Sequence, residues 1–412
     1  MVVAASRLHT FTGWLLAAGL AGCPRGTTDA GNGGAAGGTE TGSGTAGSGA
    51  TSAAHALASE TAFDLTVSER GALLAWAGAA PSGALHVTRF DPNGERAELA
   101  GGAALPAASG ATDLALVEAQ SGVGVVWREP GEPGAARGAW LDLAGASQPL
   151  DLGAAWGAAQ AGRGNLALAA RGAGALALVR GPREACKSAP ASTGGTGNTG
   201  GTGNTDEPCF GFRFYQLSAS GVLPVGLGLH VPVPCDARAA LLLAGAGSDE
   251  QRYHYAVCTR EAGETVLTTF SIDPARSYAA SQPVLPGCQP LGAGLFAGQP
   301  TFVAECRGSR RLARFVGADA PFALQSADVR GLLCGSGASG GPRVRFGDGW
   351  LALTGPQAQL ELLLDAELSP PGSRAVWTGS ALLVARAAAG QLALDRYRCA
   401  GTELQRQPVG LE

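Results

Sequence analysis

The sequence predicts an all-β fold that is built from a repeated unit of about 50 residues. From Leu57 onward, short apolar runs alternate with Gly, Pro, Asp and Asn, and no apolar stripe recurs at helical spacing. One pattern returns along this part of the chain: a first strand, a turn, a second strand, and a third strand that runs into a polar turn. A single unit of this kind leaves both faces of its sheet uncovered, so neighbouring units must cover one another.

The second strand is the clearest part of each unit. Its copies are predicted at 72–76, 123–127, 176–180, 254–258, 302–306, 350–354 and 382–386. A third strand follows each copy, and the first of these ends in the turn residues Asp91, Pro92, Asn93 and Gly94. Fainter first strands are predicted at 63–67, 113–117, 165–169, 240–244 and 343–346.

Repeats of this length and strand content resemble the blades of β-propellers. The resemblance is architectural, covers residues 57–412, and lacks the marks of WD40 or kelch repeats. We therefore predict a seven-bladed, disulfide-stapled β-propeller. The alternative is a tandem of β-sandwiches, which would need two different sheets in every 90–110 residues, roughly, whereas these units all look alike.

The N-terminal segment has the features of an export signal. Arg7 precedes an apolar stretch at 11–21, which is too short to span a bilayer. The stretch ends in Leu20-Ala21-Gly22-Cys23, which resembles the lipobox of bacterial lipoproteins. The resemblance implies a signal peptide at 1–22 and a diacylglycerol on Cys23, which would be the membrane anchor. An ordinary secretory signal with a chance cysteine is the alternative.

Two segments are predicted to lack a fixed structure. Residues 23–56 contain almost no large apolar side chains, so they read as the lipidated cysteine and a flexible linker before the propeller at 57–412. Residues 187–207 contain the sequence TGGTGN twice in tandem and form a predicted disordered insertion inside the third unit. This insertion is either a mobile loop or a displayed contact loop.

Eight cysteines remain once Cys23 is set aside, an even number that predicts four disulfides in an oxidising compartment. The register of the repeats favours the pairs Cys186–Cys209, Cys235–Cys258, Cys288–Cys306 and Cys334–Cys399. Pairing between successive units, as Cys258–Cys288 and Cys306–Cys334, is the alternative.

Composition and spacing argue against several chemistries. Only 15% of the residues are charged and the net charge is −4, which disfavours binding to nucleic acid. No histidine has metal-ligand spacing, and no cofactor or metal is expected. Two of the five histidines, His9 and His55, are predicted to precede the fold, while His254 is expected to project out of a sheet between two tyrosines. The stretch 337–341 fits the GxSxG pattern of hydrolases but lacks the helix that a nucleophile elbow requires.

Acidic or amide residues recur near the start of the units. These are Asp64, Asp113, Asn165 and Asp236. Innermost strands line the channel of a propeller, so these residues could form a ring at its mouth that binds a cation or supplies paired carboxylates. The competing interpretation is that they cap turns at strand starts. Trp76 and Trp127 match in register and are expected to pack between blades, with a sugar platform as the alternative.

The leading functional hypothesis is a lipid-anchored, non-catalytic propeller of a bacterial cell envelope that presents its loops and channel mouth to a protein or glycan partner. Pro24, rather than Asp, follows the lipidated position and favours the outer membrane. The alternatives are a propeller enzyme that cleaves polysaccharide with channel carboxylates and a structural subunit of an envelope assembly.

Overall fold

The computed structural model describes residues 55–68, 70–81, 83–97, 99, 105, 108, 110–131, 133–143, 146–155, 166–185, 208–231, 240–244, 252–261, 264–273, 278–296, 299–307, 309–314, 322–323, 325–326, 334, 344–345, 351–354, 360–363, 372–378 and 380–411. All of them belong to the compact unit Thr51–Glu412. The predicted signal peptide at 1–22, the lipidated Cys23, nearly all of the linker and the insertion at 187–207 lie outside the described residues.

The strands of the described residues form seven sheets, which we number along the chain. A short strand, β1 (His55–Ala56), comes first. Sheet 1 contains β2 (Phe63–Ser68), β3 (Gly71–Ala77), β4 (Leu85–Phe90) and β5 (Arg96–Ala97). Sheet 2 contains β6 (Asp113–Ala119), β7 (Gly122–Arg128), β8 (Gly134–Asp142) and β9 (Ser147–Ala155). Sheet 3 contains β10 (Leu166–Arg171), β11 (Gly174–Ala185), β12 (Pro208–Ser218) and β13 (Gly221–Val231).

The remaining four sheets are also formed by strands that are consecutive along the chain. Sheet 4 contains β14 (Ala240–Ala244), β15 (Tyr253–Glu261), β16 (Glu264–Asp273) and β17 (Tyr278–Pro286). Sheet 5 contains β18 (Cys288–Phe296), β19 (Gln299–Cys306), β20 (Ser309–Arg314) and β21 (Phe322–Ala323). Sheet 6 contains β22 (Gln325–Ser326), β23 (Val344–Arg345), β24 (Leu351–Thr354) and β25 (Leu360–Leu363). Sheet 7 contains β26 (Arg374–Trp377), β27 (Ala381–Ala388), β28 (Gln391–Ala400) and β29 (Glu403–Val409).

In sheets 1 to 5 the strands pair in chain order. Sheet 6 differs because β22 pairs with β25 in parallel, which places it at the outer edge. All the predicted second strands form, as β3, β7, β11, β15, β19, β24 and β27. The sequence missed the first strands β18 and β26, since β18 contains Pro290 and two glycines, which weaken its strand pattern.

The first strands of neighbouring sheets lie side by side. Strand β2 contacts both β6 and β26, and the contacts continue through β10, β14, β18 and β23. First strands that contact one another in this way surround a common axis, as the inner strands of propeller blades do. The prediction of an all-β propeller is confirmed. The number of blades stays a prediction, with which the seven sheets of the described residues agree.

Apolar side chains fill the spaces between neighbouring sheets. Trp127 and Leu73 pack between sheets 1 and 2, and Trp140 packs with Val179 between sheets 2 and 3. The same pattern continues between sheets 3 and 4, where Phe214 and Tyr255 have ring centroids 5.1 Å apart. Sheets 2 and 3 are therefore covered on both faces, which removes the apolar surface that a lone sheet would expose to water.

The contact between sheet 1 and sheet 7, which we call the seam, joins the two ends of the described chain. Phe63 and Trp76 of sheet 1 pack there against apolar residues of sheet 7, and Leu57 and Leu411 belong to the same buried cluster. Strand β1 pairs with the start of β28, with His55 opposite Leu392. The prediction that His55 precedes the fold is wrong, because a two-residue strand is too short to show any periodicity in sequence.

Candidate functional site

The predicted ring of polar residues lies partly within the described chain. Asp64 is the second residue of β2 and Asp113 is the first residue of β6. Asn165 and Asp236 lie outside the described residues. The two described members stand on adjacent first strands, as the sequence predicts, but their side chains have different surroundings.

Asp64 contacts the first strands of two other sheets. Its Oδ2 accepts a hydrogen bond of 3.0 Å from the backbone N–H of Leu116 on β6. Its Oδ1 lies 3.4 Å from Nε of Arg374 on β26, and the two side chains are 14% and 10% exposed. Asp64 therefore links sheets 7, 1 and 2. These contacts give the carboxylate a role in bridging sheets, which the sequence did not indicate.

Asp113 is buried, with 5% of its surface exposed, and stands opposite Arg128 in the pairing of β6 with β7. Arg128 is also buried, and its guanidinium donates hydrogen bonds of 2.9 Å to Thr112 Oγ1 and 2.7 Å to the carbonyl of Gly131. Burying opposite charges is favourable only when hydrogen bonds compensate the lost hydration. The contacts of Arg128 join the residue before β6 to the loop after β7.

The position of this pair recurs in another sheet. In sheet 5, Cys288 begins the first strand and stands opposite Cys306, which ends the second strand. The two cysteines form a disulfide with a Cα–Cα distance of 4.1 Å. The start of the first strand therefore lies opposite the end of the second in both sheets, with two charged residues at these positions in sheet 2 and a disulfide in sheet 5. Sequence analysis missed Arg128, although its place at the end of a second strand matches that of Cys306.

Two predicted disulfides are confirmed. Cys288–Cys306 lies within sheet 5, and Cys334–Cys399 connects the segment before β23 to strand β28 of sheet 7. These bonds show that the alternative pairing between successive units, Cys258–Cys288 and Cys306–Cys334, is wrong. Cys258 is disulfide-bonded. The predicted pairs Cys186–Cys209 and Cys235–Cys258 include residues outside those whose side chains the structure describes.

Both tryptophans matched by the repeat register are core residues, as predicted. Trp76 and Trp127 are each 2% exposed and pack between sheets. His254 was expected to project out of a sheet, and it is completely buried between Tyr253 and Tyr255, which are also buried. The reason is that neighbouring sheets cover both faces of a blade, so alternate residues do not alternate between core and solvent.

Two histidines contact the buried Trp76. The ring of His86 stacks on the indole with centroids 4.8 Å apart and planes at 11°, while His55 lies at 6.0 Å and 54°. Partial burial and, to a smaller extent, the nearby charge of His55 lower the pKa of His86. We call these three residues the His–Trp–His stack. Sequence analysis could not find it, because Trp76 and His86 are brought together by the pairing of β3 with β4, whereas His55 reaches the indole from β1, which pairs with β28 of the last sheet.

The described residues contain no group of three or more His, Cys, Asp or Glu side chains that could hold a metal ion. Nor does that part of the chain contain a helix of sufficient length and apolarity to cross a membrane. The polar contacts of Asp64 join its strand to the first strands of two neighbouring sheets. Contacts of this kind hold the inner strands in fixed positions.

Comparison of this chain with known proteins finds similar folds among solved structures and no related sequence family. No protein-family profile matches the chain, and no curated protein matches it either. The chain is similar to the β-propeller domain of the Trilobed protease from Pyrococcus furiosus, with 8% identity and a TM-score of 0.38 over 73% of this chain and 84% of that one. It is also similar to the Aleuria aurantia lectin, with 11% identity and a TM-score of 0.37 over 72% and 95% of the two chains.

A third similar structure is a mutant of Trypanosoma rangeli sialidase, with 11% identity and a TM-score of 0.32 over 77% of this chain and 57% of that one. Identities this low carry no inference about activity or ligand. The class of protein is defined by the sheets themselves: an all-β propeller with disulfides.

Proposed function

We propose that the chain is a lipid-anchored, non-catalytic propeller of a bacterial cell envelope, sited at the outer membrane, that binds a protein or glycan partner. The anchor is Cys23, at the end of Leu20-Ala21-Gly22-Cys23, and the residues after it form the linker to the propeller. The disulfides Cys288–Cys306 and Cys334–Cys399 support export, because such bonds persist in oxidising compartments.

The observation that favours binding over cleavage is the use of the Asp64 carboxylate. A glycosidase needs two carboxyl groups that face the substrate, one of them as a general acid. Both oxygens of Asp64 are engaged within the ring, by Leu116 and by Arg374, and the side chain is 14% exposed. The buried Asp113 likewise stands opposite Arg128.

Exposed apolar side chains support a partner at one end of the sheets. Among the described residues, the large apolar side chains that stand exposed are Val67, Leu143 and Leu223, at 50%, 44% and 63%. They lie at the end of β2, just after β8 and near the start of β13, so all three are at the end that carries the turns between first and second strands. We call this the hairpin end.

Neighbouring sheets present their hairpin ends on the same side. The backbone N–H of Gln120, in the turn after β6, donates a 2.9 Å hydrogen bond to the carbonyl of Gly172, in the turn after β10. Near the same ends of β4 and β6, Arg89 and Glu118 form a 2.6 Å ion pair. We propose that the partner contacts this end of the sheets, where the three exposed apolar residues lie.

Lipidation is tested by labelling cells with palmitate. The wild-type chain is expected to incorporate the label and to fractionate with the outer membrane. Cys23→Ser is expected to abolish incorporation, whereas Cys258→Ser, which alters a cysteine of the folded part, is the control and is expected to keep it. Labelling of the Cys23→Ser chain would contradict the proposed anchor.

Binding and cleavage are separated by two assays on the full chain. Incubation with a panel of envelope and plant polysaccharides is expected to release no reducing ends, and release that Asp64→Asn abolishes would contradict a non-catalytic role. Co-purification from envelope extracts is expected to yield a partner that Leu143→Ser with Leu223→Ser loses. The exposed residue Gln405 of β29 provides the control, as Gln405→Ser, which is expected to retain the partner.

A further inference from the structure

Strand β1 is held to the propeller by few bonds. Besides the pairing of His55 and Ala56 with Leu392 and Gln391, its surroundings include a 2.7 Å hydrogen bond from Leu57 N–H to the carbonyl of Gly390. A hydrogen bond of 3.0 Å runs from Ala79 N–H to the carbonyl of Ala56. So short a strand is marginally stable, and a small change in free energy decides whether it stays docked.

The His–Trp–His stack lies where β1 meets sheet 1. Trp76 and His86 stand opposite each other in the pairing of β3 with β4, and His55 approaches the same indole from β1. Nε2 of His55 is buried and has no hydrogen-bond partner among the described residues. We propose that this stack is an acid-sensitive contact: protonation of His86 weakens the docking of β1 and opens the seam at its outer edge.

The charges around the stack explain why acid is expected to weaken, and not strengthen, the docking of β1. Protonation of His86 places a positive charge on a partly buried ring, and the nearby charge of His55 further disfavours that charged form. The residues of β28 that pair with β1, Gln391 and Leu392, carry no charge, and Glu60, in the connection from β1 to β2, is exposed. Stacking of a protonated imidazole on an indole is itself attractive. Burial and, to a smaller extent, the charge of His55 oppose this attraction, because both lower the pKa of His86.

The direction in which pH changes the docking of β1 follows from the difference in proton binding between the docked and undocked chain. Because the pKa of His86 is lower in the folded chain, the undocked or unfolded chain binds more protons as the pH falls through the ordinary histidine value of about 6.5. Docking of β1 is therefore strongest above this value and is lost on acidification.

Hydrogen exchange of the full chain, purified in detergent and followed by mass spectrometry at pH 7.5 and pH 5.0, tests the proposal. After correction for the intrinsic exchange rate, the amides of Leu57 and Ala58 are expected to lose about tenfold protection at the lower pH. Peptides from β6 and β7 serve as an internal reference and are expected to change little.

The variant His55→Gln with His86→Gln is expected to abolish this difference between the two pH values. His230→Gln, which alters a histidine of β13, is the control and is expected to keep it. Equal protection of the wild-type chain at both pH values would overturn the proposal, as would an unchanged pH response in the double variant. If the reference peptides show that the double variant is unfolded, the single variant His86→Gln is measured in its place. An unchanged pH response in this variant would overturn the proposal.

Discussion

Asp64 and Arg374 form an ion pair across the seam, joining the first strand of sheet 1 to the first strand of sheet 7. The pair lies at the inner side of the propeller, and the apolar cluster that contains Phe63 and Leu383 fills the space behind it. The seam is thus closed by a charged contact near the axis and an apolar core farther out.

The Asp64–Arg374 pair is expected to stabilise the fold more than a surface pair does. Asp64→Asn is expected to lower the free energy of unfolding by about 2 kcal/mol, because Arg374 keeps a largely buried charge. A double-mutant cycle with Arg374→Gln in urea measures the coupling. The control cycle is Arg137 with Asp151, which are 37% and 68% exposed and are expected to couple by about 0.5 kcal/mol or less. Equal coupling in both cycles would contradict the role of Asp64.

Gly94 is expected to tolerate no larger side chain, because its turn packs against sheet 7. A Cβ at this residue would lie 3.0 Å from Cδ of Arg396 and 3.1 Å from Cδ2 of Leu383, at a φ of +69°. Gly94→Ala is expected to cost about 1–2 kcal/mol more than Gly401→Ala. Gly401 is the matched control, since its φ is +66° and nothing lies within 4 Å of the added Cβ. Thermal unfolding measures the stability of both variants. Equal losses of stability would show that the turn at Gly94 does not stabilise the seam.

The two observed disulfides are expected to differ in their effect on stability. Cys334–Cys399 closes a loop with a sequence separation of 65, and Cys288–Cys306 one with a separation of 18. Loop-closure entropy predicts that replacing the first pair by serines costs about 1 kcal/mol more than replacing the second. Urea unfolding of the two double variants checks this order, and a larger loss for Cys288–Cys306 would show that native contacts outweigh the entropy of the unfolded chain.

The N-terminal edge of the fold is expected to be essential for the seam. A chain that begins at Ala58 loses β1 and the buried side chain of Leu57, so its free energy of unfolding is expected to fall by about 2–4 kcal/mol. A chain that begins at Thr51 retains both and is the control. Thermal unfolding compares the two. Equal midpoints would show that β1 contributes nothing to closure.

The repeated features of this protein could be predicted from its amino-acid sequence. Apolar periodicity is a local property of the chain, so it located every second strand, the core positions of Trp76 and Trp127, and the cysteines that pair as Cys288–Cys306. The position of a residue within its repeat predicts its place in the sheet, because each sheet is formed by residues that are close in sequence.

The contacts that join the two ends of the described chain became visible in the folded protein alone. Asp64 meets Arg374, and His55 meets Trp76, through the approach of the first sheet to the last. No pattern in the sequence records such an approach, since the partners are set by the closing of the whole propeller and not by spacing along the chain. The Asp64 carboxylate is an example: the sequence suggests that it could take part in chemistry, whereas in the folded chain it contacts two neighbouring sheets.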